Sequence, residues 1–282
     1  MSVKGKLRSA RALWREVRDP PLITRNESLK RERIKALVST PCPAPVFIFG
    51  LQKSGTSAIC GLLGEATGER TQIDFEGAWE PYMSRLVRGE TGTRAFVRRN
   101  AWAFSARIIK EPCLTLAAPE LMAHFPAARA IFVVREPASN IQSILNRLKI
   151  PGHLAELGGD APPLPNDTWR CLLGGADLGY GGQSHIEALA LRWSRAAETY
   201  LAQPERYVLV RYEDFLADKT GAIEGLAAAV GLEATRPIDH LLDVQFQPAA
   251  KVRSAPAEFF GERNLEIITR LTGPAAERLG YA

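Results

Sequence analysis

Short apolar runs separated by helical patterns dominate the chain from about residue 45 onward. Two of these runs, 45–49 and 130–134, are rich in β-branched and aromatic residues, which is typical of strands buried on both faces of a parallel sheet. Helical spacing follows each run, from about Ser57 to Ala66 and from Pro137 onward. Strands that alternate with helices predict an α/β domain with three layers and a central, mostly parallel sheet.

Further elements continue the same alternation. Residues 71–76 alternate polar and apolar side chains like a short strand, and residues 105–110 and 207–210 read as two more strands. Amphipathic helices are predicted from Ile186 to Leu201 and from about Ala222 to Val230, with a further helix at the C-terminal end. We therefore expect the domain to span residues 44–282.

Residues 1–43 differ in composition from the rest of the chain. Residues 1–40 contain eleven Lys and Arg against four Asp and Glu, a balance of +7 that leaves −2 for the remainder of the total +5. Apolar residues among these charges predict a basic helical extension, which packs on the domain or, alternatively, contacts a membrane surface peripherally. Since the basicity is local, it does not by itself indicate nucleic-acid binding.

A long stretch rich in glycine and proline, residues 150–185, interrupts the regular alternation. Loops of this length inside a compact domain are commonly functional. We interpret this one as a lid over an acceptor substrate.

The four cysteines lie far apart without metal-ligand spacing, so neither a zinc site nor a disulfide framework is expected. No apolar run approaches the ~20 residues that span a bilayer. These features predict a cytoplasmic protein without a transmembrane segment.

The loop between the first apolar run and its helix carries the most specific chemistry. Gly50 and Gly55 stand five positions apart, with Lys53 between them, at a strand-to-helix junction. Backbone N–H groups and the helix dipole at such a junction bind anionic oxygens. The predicted anion-binding residues of this loop are Gly50, Gln52, Lys53, Ser54, Gly55, Thr56 and Ser57.

The loop departs from the nucleoside-triphosphate pattern at its end. That pattern has Gly-Lys-Ser/Thr, in which the lysine reaches the β- and γ-phosphates and the hydroxyl holds Mg²⁺. Here the residues are Gly55-Thr56-Ser57, and the lysine precedes the glycine as Lys53. The change favours a smaller anionic group and no obligatory metal.

These residues resemble the donor loop of sulfotransferases that use 3'-phosphoadenosine 5'-phosphosulfate (PAPS), in which Lys/Arg-Ser-Gly-Thr-Thr/Ser stands at this position. Two further blocks resemble the same family. Arg135-Glu136-Pro137 precedes a helix that bears Ser143, as in the family's 3'-phosphate motif, and Arg-Tyr-Glu-Asp-Phe at 211–215 resembles its Tyr-Glu-Asp signature. The resemblance implies a P-loop nucleoside-triphosphate-hydrolase-like fold, donor contacts from Arg135, Ser143 and Tyr212, and a basic segment over the 3'-phosphate that contains Lys251 and Arg253.

The resemblance also implies the catalytic residues. Lys53 would act at the bond to be broken, and Lys110 occupies the end of the family's third strand, in Lys110-Glu111-Pro112. The histidine base of the cytosolic aryl and steroid enzymes is missing, so the resemblance is closer to bacterial and carbohydrate-type branches. Asp74 and Glu76 lie where several branches place a catalytic carboxylate, and either is the expected base.

The sequence thus predicts a sulfotransferase that moves a sulfuryl group from PAPS, with PAP as product, to a hydroxyl or amine of a small-molecule, lipid or carbohydrate acceptor. Two alternatives remain open at this point. The protein would otherwise be an ATP-dependent small-molecule kinase or a non-catalytic nucleotide- or RNA-binding protein. Thr56 in place of lysine disfavours the kinase, and the lack of interleaved aromatic and basic residues disfavours RNA.

Overall fold

The computed structural model describes residues 12–158, 162–244 and 254–281. A six-stranded sheet forms the centre, and every neighbouring pair in it is parallel, in the order β1-β3-β4-β2-β5-β6. The strands are β1 (Ile23–Arg25), β2 (Val46–Phe49), β3 (Thr71–Ile73), β4 (Ile108–Lys110), β5 (Arg129–Val134) and β6 (Val208–Arg211). The fold class predicted from the sequence is confirmed.

Helices cover both faces of the sheet, and several short 3-10 turns lie between them. Residues 12–18 are helical and are called α1 here. The others are α2 (Leu29–Ala36), α3 (Thr56–Thr67), α4 (Tyr82–Val87), α5 (Thr93–Arg99), α6 (Ala101–Phe104), α7 (Ala118–His124), α8 (Pro137–Leu148), α9 (Asp167–Gly174), α10 (His185–Leu201), α11 (Tyr212–Ala217), α12 (Lys219–Ala229) and α13 (Pro256–Arg278). No described helix combines the length and apolarity needed to cross a bilayer.

The side chains of β2 alternate between the two faces of the sheet and show how the two hydrophobic cores form. Phe47 and Phe49 join a core with Phe104 and Phe125 on one face, whereas Val46 and Ile48 join a second core on the other. Successive side chains of a strand point to opposite faces, so one apolar run supplies both cores. Residues of α3 and α12 close the second core.

The N-terminal segment contributes more than helix. Ile23–Arg25 forms the edge strand and pairs in parallel with Thr71–Ile73. The segment 1–43, expected to be a helical extension, therefore also supplies a strand to the sheet. Its last strand residue, Arg25, reaches the carboxyl edge of the sheet, where the other strands also end.

Helix α2 docks through what we call the N-terminal charge cluster, formed by Glu16, Glu27, Glu32 and Lys35. The Lys35 ammonium lies 2.5 Å from a carboxylate oxygen of Glu16 and 2.5 Å from one of Glu27, and 4.5 Å from the centre of the Trp102 ring. Glu32 is buried, and its Oε2 accepts the Gly77 N–H at 3.3 Å. Burial raises the pKa of Glu32 to about 7.

Candidate active site

One large pocket, with a volume of about 670 Å³, opens at the carboxyl ends of the strands. Residues that follow each of the six strands line it, from Asn26 after β1 to Tyr212 after β6. Open α/β sheets bind ligands at this edge, because the strand ends and helix N-termini converge there. The pocket is therefore the candidate site.

The loop from Gly50 to Gly55 lines the pocket, and its backbone conformation requires both glycines. Gly50 has φ 140° and Gly55 has φ 88°, a region that other residues rarely adopt. A Cβ at Gly50 would lie 2.5 Å from the Val133 carbonyl oxygen, and one at Gly55 would lie 2.2 Å from the Tyr212 ring. Lys53 also adopts a left-handed conformation, with φ 69°.

Side chains from other elements hold this loop in place. The Asn140 amide donates to the Gln52 carbonyl at 3.0 Å and to Ser54 Oγ at 2.9 Å. The Arg135 guanidinium donates to the Lys53 carbonyl at 2.8 Å. Thr115 Oγ1 accepts the Gly50 N–H at 3.0 Å and donates to the Gly50 carbonyl at 2.9 Å. A loop fixed in this way presents its N–H groups without reorganisation.

Positive charge converges where the loop meets α3. Thr56 and Ser57 begin this helix, and the first N–H groups of a helix have no intrahelical partner. Burial lowers the pKa of Lys53, and the neighbouring charges of Arg135, Arg147 and Lys110 lower it further. Such mutual repulsion among cations is relieved by a bound polyanion.

Beside the loop lies what we call the pocket charge cluster, formed by Asp74, Lys110 and Glu111. The Lys110 ammonium, whose side chain is 1% exposed, donates to Asp74 Oδ1 at 2.6 Å and to Ser57 Oγ at 2.9 Å. Lys110 thus joins the start of α3 to an acid that directly follows the neighbouring strand β3. The structure brings three of the four predicted catalytic residues together here: Lys53, Asp74 and Lys110.

Glu111 is the second carboxylate in this cluster, and the sequence analysis did not assign it a role. It accepts N–H bonds from Phe75 at 3.1 Å, from the Trp79 indole at 3.1 Å and from Cys113 at 3.0 Å. Burial, followed by the charge of Asp74, raises its pKa to about 7. A carboxylate poised near neutrality in a pocket has the protonation behaviour of a general base.

Glu76 lies away from this cluster. Its Oε2 accepts the Leu29 N–H at 2.7 Å and so caps the beginning of α2, and it does not line the pocket. The sequence placed Glu76 near a strand end, but the 3-10 turn that begins there directs its side chain toward α2. Glu76 is therefore not placed to act as the base.

A second group of polar residues surrounds Arg135. Its guanidinium lies 4.9 Å from the centre of the Tyr212 ring, and the Trp193 indole donates to its carbonyl at 2.9 Å. Ser143 and Arg147 on α8 line the same part of the pocket. Residues 139, 143 and 147 share one helix face, so the spacing of four was the signal for Arg147, which the sequence analysis missed. Lys251 and Arg253 lie outside the described residues.

Another part of the pocket lining is apolar and belongs to one hydrophobic cluster. Trp79 follows β3, Trp169 and Leu172 lie on α9, and Cys113 follows β4. Burial raises the pKa of the Cys113 thiol, so this thiol is neutral at ordinary pH. Helix α9 belongs to the glycine- and proline-rich segment 150–185, which therefore supplies part of the pocket wall.

Within the described ranges, no group of three or more His, Cys, Asp or Glu side chains has the arrangement to hold a metal ion.

No family model matches the sequence, and no curated protein gives a significant match. Among solved structures, the sulfotransferase STF1 from Mycobacterium tuberculosis is similar at a TM-score of 0.50 and 15% identity, over 85% of this chain and 79% of that one. STF9 from Mycobacterium avium gives a TM-score of 0.48 at 12% identity, over 95% and 89%. Retinol dehydratase in complex with androsterone and inactive cofactor PAP gives 0.45 at 12% identity, over 88% and 85%. The similarity to STF1 shows that the chain has the fold of a sulfotransferase.

Proposed function

We propose that this protein is a sulfotransferase that uses PAPS as donor and transfers its sulfuryl group to a hydroxyl or amine of an acceptor. The observation that carries the proposal is the convergence of Lys53, Lys110 and Arg135 on a helix N-terminus beside a carboxylate of raised pKa. Cations around a transferring group and a nearby base are what in-line group transfer requires. The sulfotransferase fold agrees with this reading.

The polar residues of the pocket suit the charged groups of the donor. The loop N–H groups, Thr56 and Ser57 would hold the 5'-phosphosulfate, since they form the beginning of α3. Arg135, Ser143 and Arg147 would hold the 3'-phosphate, because a guanidinium and a hydroxyl suit a phosphate dianion. Tyr212, which packs on Gly55 and Arg135, would bound the adenosine. Lys251 and Arg253 remain proposed donor contacts.

When bound, the donor supplies an activated sulfuryl group. Lys53 then neutralises charge that grows on the oxygen of the breaking bond, and Lys110 fixes Ser57 at the loop. Glu111 takes the proton of the acceptor as the new bond to sulfur forms, so the products are the sulfated acceptor, PAP and a proton. We assign the base to Glu111 rather than to Asp74, because Asp74 Oδ1 is bonded to the Lys110 ammonium.

The acceptor would enter beside this apolar part of the pocket lining. It contains Trp79, Trp169 and Leu172, and the segment 150–185 would act as its lid. These side chains favour an acceptor with an apolar body that carries its hydroxyl or amine toward Glu111.

We also propose that the domain extends back to at least Ile23, because β1 pairs with β3. Residues 1–40 would contact an anionic membrane surface peripherally. Their basic charge supports this, as do the exposed apolar side chains of Trp14, Leu37 and Val38. A cytoplasmic location and the absence of a metal requirement stay as proposals.

Calorimetry decides between the proposal and its alternatives. We expect PAP to bind without metal and with unchanged affinity in EDTA, and to bind much more tightly than ATP with Mg²⁺ or a short RNA. Tight binding of ATP that chelation abolishes would favour the kinase, and binding of RNA alone would favour the non-catalytic protein. Arg135→Ala should weaken PAP binding by about 2–4 kcal/mol while adenosine 5'-phosphosulfate changes less.

A further inference from the structure

Among the residues that the structure describes, Arg192 on α10 is a buried cation without a counter-charge. Its side chain is among the largest that are fully buried, and burial lowers the pKa of its guanidinium. One of its NH₂ groups donates to Gln52 Oε1. Within the described ranges, its Nε and NH1 atoms have no hydrogen-bond partner, and Arg192 takes part in no ion pair there.

Such a group destabilises the folded state, because a charge loses its hydration on burial and here one hydrogen bond to a neutral amide replaces it. Arg70 provides a contrast within the same chain. Its guanidinium donates to Ser105 Oγ at 2.6 Å and to the Trp102 carbonyl at 3.1 Å, and it lies 4.0 Å from the centre of the Trp102 ring. Arg70 is held by several partners, whereas Arg192 has one amide oxygen.

That single partner belongs to the anion-binding loop. A guanidinium can only donate hydrogen bonds, so Arg192 fixes the oxygen of the Gln52 amide toward α10. The amide nitrogen therefore lies on the other side, where it donates to Cys113 Sγ at 3.4 Å. Its second hydrogen is left for an acceptor in the pocket, which Gln52 and Cys113 both line.

We propose that Arg192 is a positioning residue that supplies positive charge beneath the anion-binding loop and orients the Gln52 amide, at the expense of folding stability. The inference deepens the proposed function and rests on it for the identity of the anion. The buried guanidinium gains a counter-charge only when an anion binds at the loop above it. Ligand binding thus compensates an energetic penalty that folding alone leaves in place.

The test compares Arg192→Met with Arg192→Lys and the control Arg70→Met. Dissociation constants for pyrophosphate and PAP are measured by calorimetry, and melting temperatures by scanning calorimetry. In Arg192→Met both dissociation constants should rise by roughly tenfold, while the melting temperature stays equal or rises. Arg192→Lys should recover part of the affinity. Arg70→Met should show the opposite behaviour, with a lower melting temperature and unchanged affinities.

A lower melting temperature of Arg192→Met with unchanged affinities would overturn the proposal, since Arg192 would then be an ordinary structural residue. If Arg192→Met does not fold, the Gln52→Glu variant tests the proposal instead. The new carboxylate would pair with Arg192, so the melting temperature should rise while anion affinity falls. Tighter binding or lower stability in that variant also overturns the proposal.

Binding of pyrophosphate and of PAP to the wild-type protein distinguishes a failure of this inference from a failure of the proposed function. Binding of pyrophosphate but not PAP would exclude the PAPS-dependent activity, and the Arg192 variants would still decide the role of Arg192 with pyrophosphate. Binding of neither ligand would exclude both.

Discussion

Lys35 and Lys110 are equally buried, each with a side chain 1% exposed, and each is paired with carboxylate. Their clusters are alike in a further respect, because Glu32 and Glu111 both have a pKa of about 7. The difference lies in what adjoins them. The pocket charge cluster borders the anion-binding loop, whereas Lys35 is enclosed by Glu16, Glu27 and Trp102.

A buried ion pair with a titrating neighbour therefore does not by itself identify a site. The N-terminal charge cluster uses the same residue types to attach α2 to the domain. Access for a ligand and a nearby phosphate-type loop distinguish the pocket charge cluster. Substitutions in matched positions should separate the two roles.

The largest effect is expected for Glu111→Gln. Removal of a general base costs about 10²–10⁴ in rate, and the amide should leave donor affinity nearly unchanged. Between pH 5 and 8 the wild-type kcat should rise with a midpoint near 7, because the active form is the carboxylate. Steady-state kinetics would check this, and a variant with wild-type turnover would restore Asp74 as the base.

Lys110→Met should lower kcat by about 10²–10³, the loss typical of one well-placed electrostatic donor. The cation also holds Ser57 Oγ at 2.9 Å, so PAP affinity should fall less than turnover. Lys35→Met serves as the matched control, and its turnover should equal that of the wild type. Equal loss of turnover in both variants would contradict the distinction between the clusters.

Lys35→Met should instead reduce the free energy of unfolding by about 3 kcal/mol, since it leaves Glu16 and Glu27 without their buried partner. Chemical denaturation monitored by circular dichroism would measure the loss. Stability equal to that of the wild type would mean that α2 is attached chiefly by its other contacts.

Glu32→Gln tests the pH dependence of stability. The folded protein holds the Glu32 proton more tightly than the unfolded chain, because burial raises the pKa of Glu32 from 4.5 to about 7. The wild-type free energy of unfolding should therefore decrease as pH rises through this interval. The neutral amide should remove part of that decrease without affecting turnover. Denaturation at pH 5 and at pH 8 gives the comparison.

The smallest effect is expected for Arg31→Ala. Arg31 pairs with Glu16 at 2.8 Å and Glu27 at 3.3 Å, but its side chain is 46% exposed. Exposed pairs contribute less than about 1 kcal/mol, and salt weakens them. A loss above about 2 kcal/mol in denaturation experiments would show that the exposure of Arg31 is a poor guide to the strength of its ion pairs with this cluster.

The sequence was sufficient for features that depend on local pattern. The alternation that buries Phe47 and Val46 on opposite faces is visible in the chain, and so is the glycine spacing of the loop. Arg135 could be placed at the pocket because it directly follows a strand in an α/β pattern. The α/β class with a mostly parallel sheet needed no more than these elements, whereas the P-loop-like fold was implied by the family resemblance.

Features that depend on distant partners could not be predicted. The raised pKa of Glu111 comes from burial beside Asp74, 37 positions away. Strand β1 has three residues and pairs with residues 48 positions later, so no periodicity marks it. Glu76 and Asp74 look alike in the sequence, and only the turn after β3 separates their directions.

Strand β1 also has a consequence for how the chain folds during synthesis. Ile23–Arg25 leaves the ribosome before its partner and can pair only when Thr71–Ile73 has emerged, and that strand pairs in turn with Ile108–Lys110. We expect the N-terminal segment to remain undocked until then, because pairing between strands that are distant in the sequence is slow. Its basic charge would keep it hydrated and discourage premature association of nascent chains. Docking of β1 would then cover the edge of β3, which would otherwise be open to pairing with other molecules.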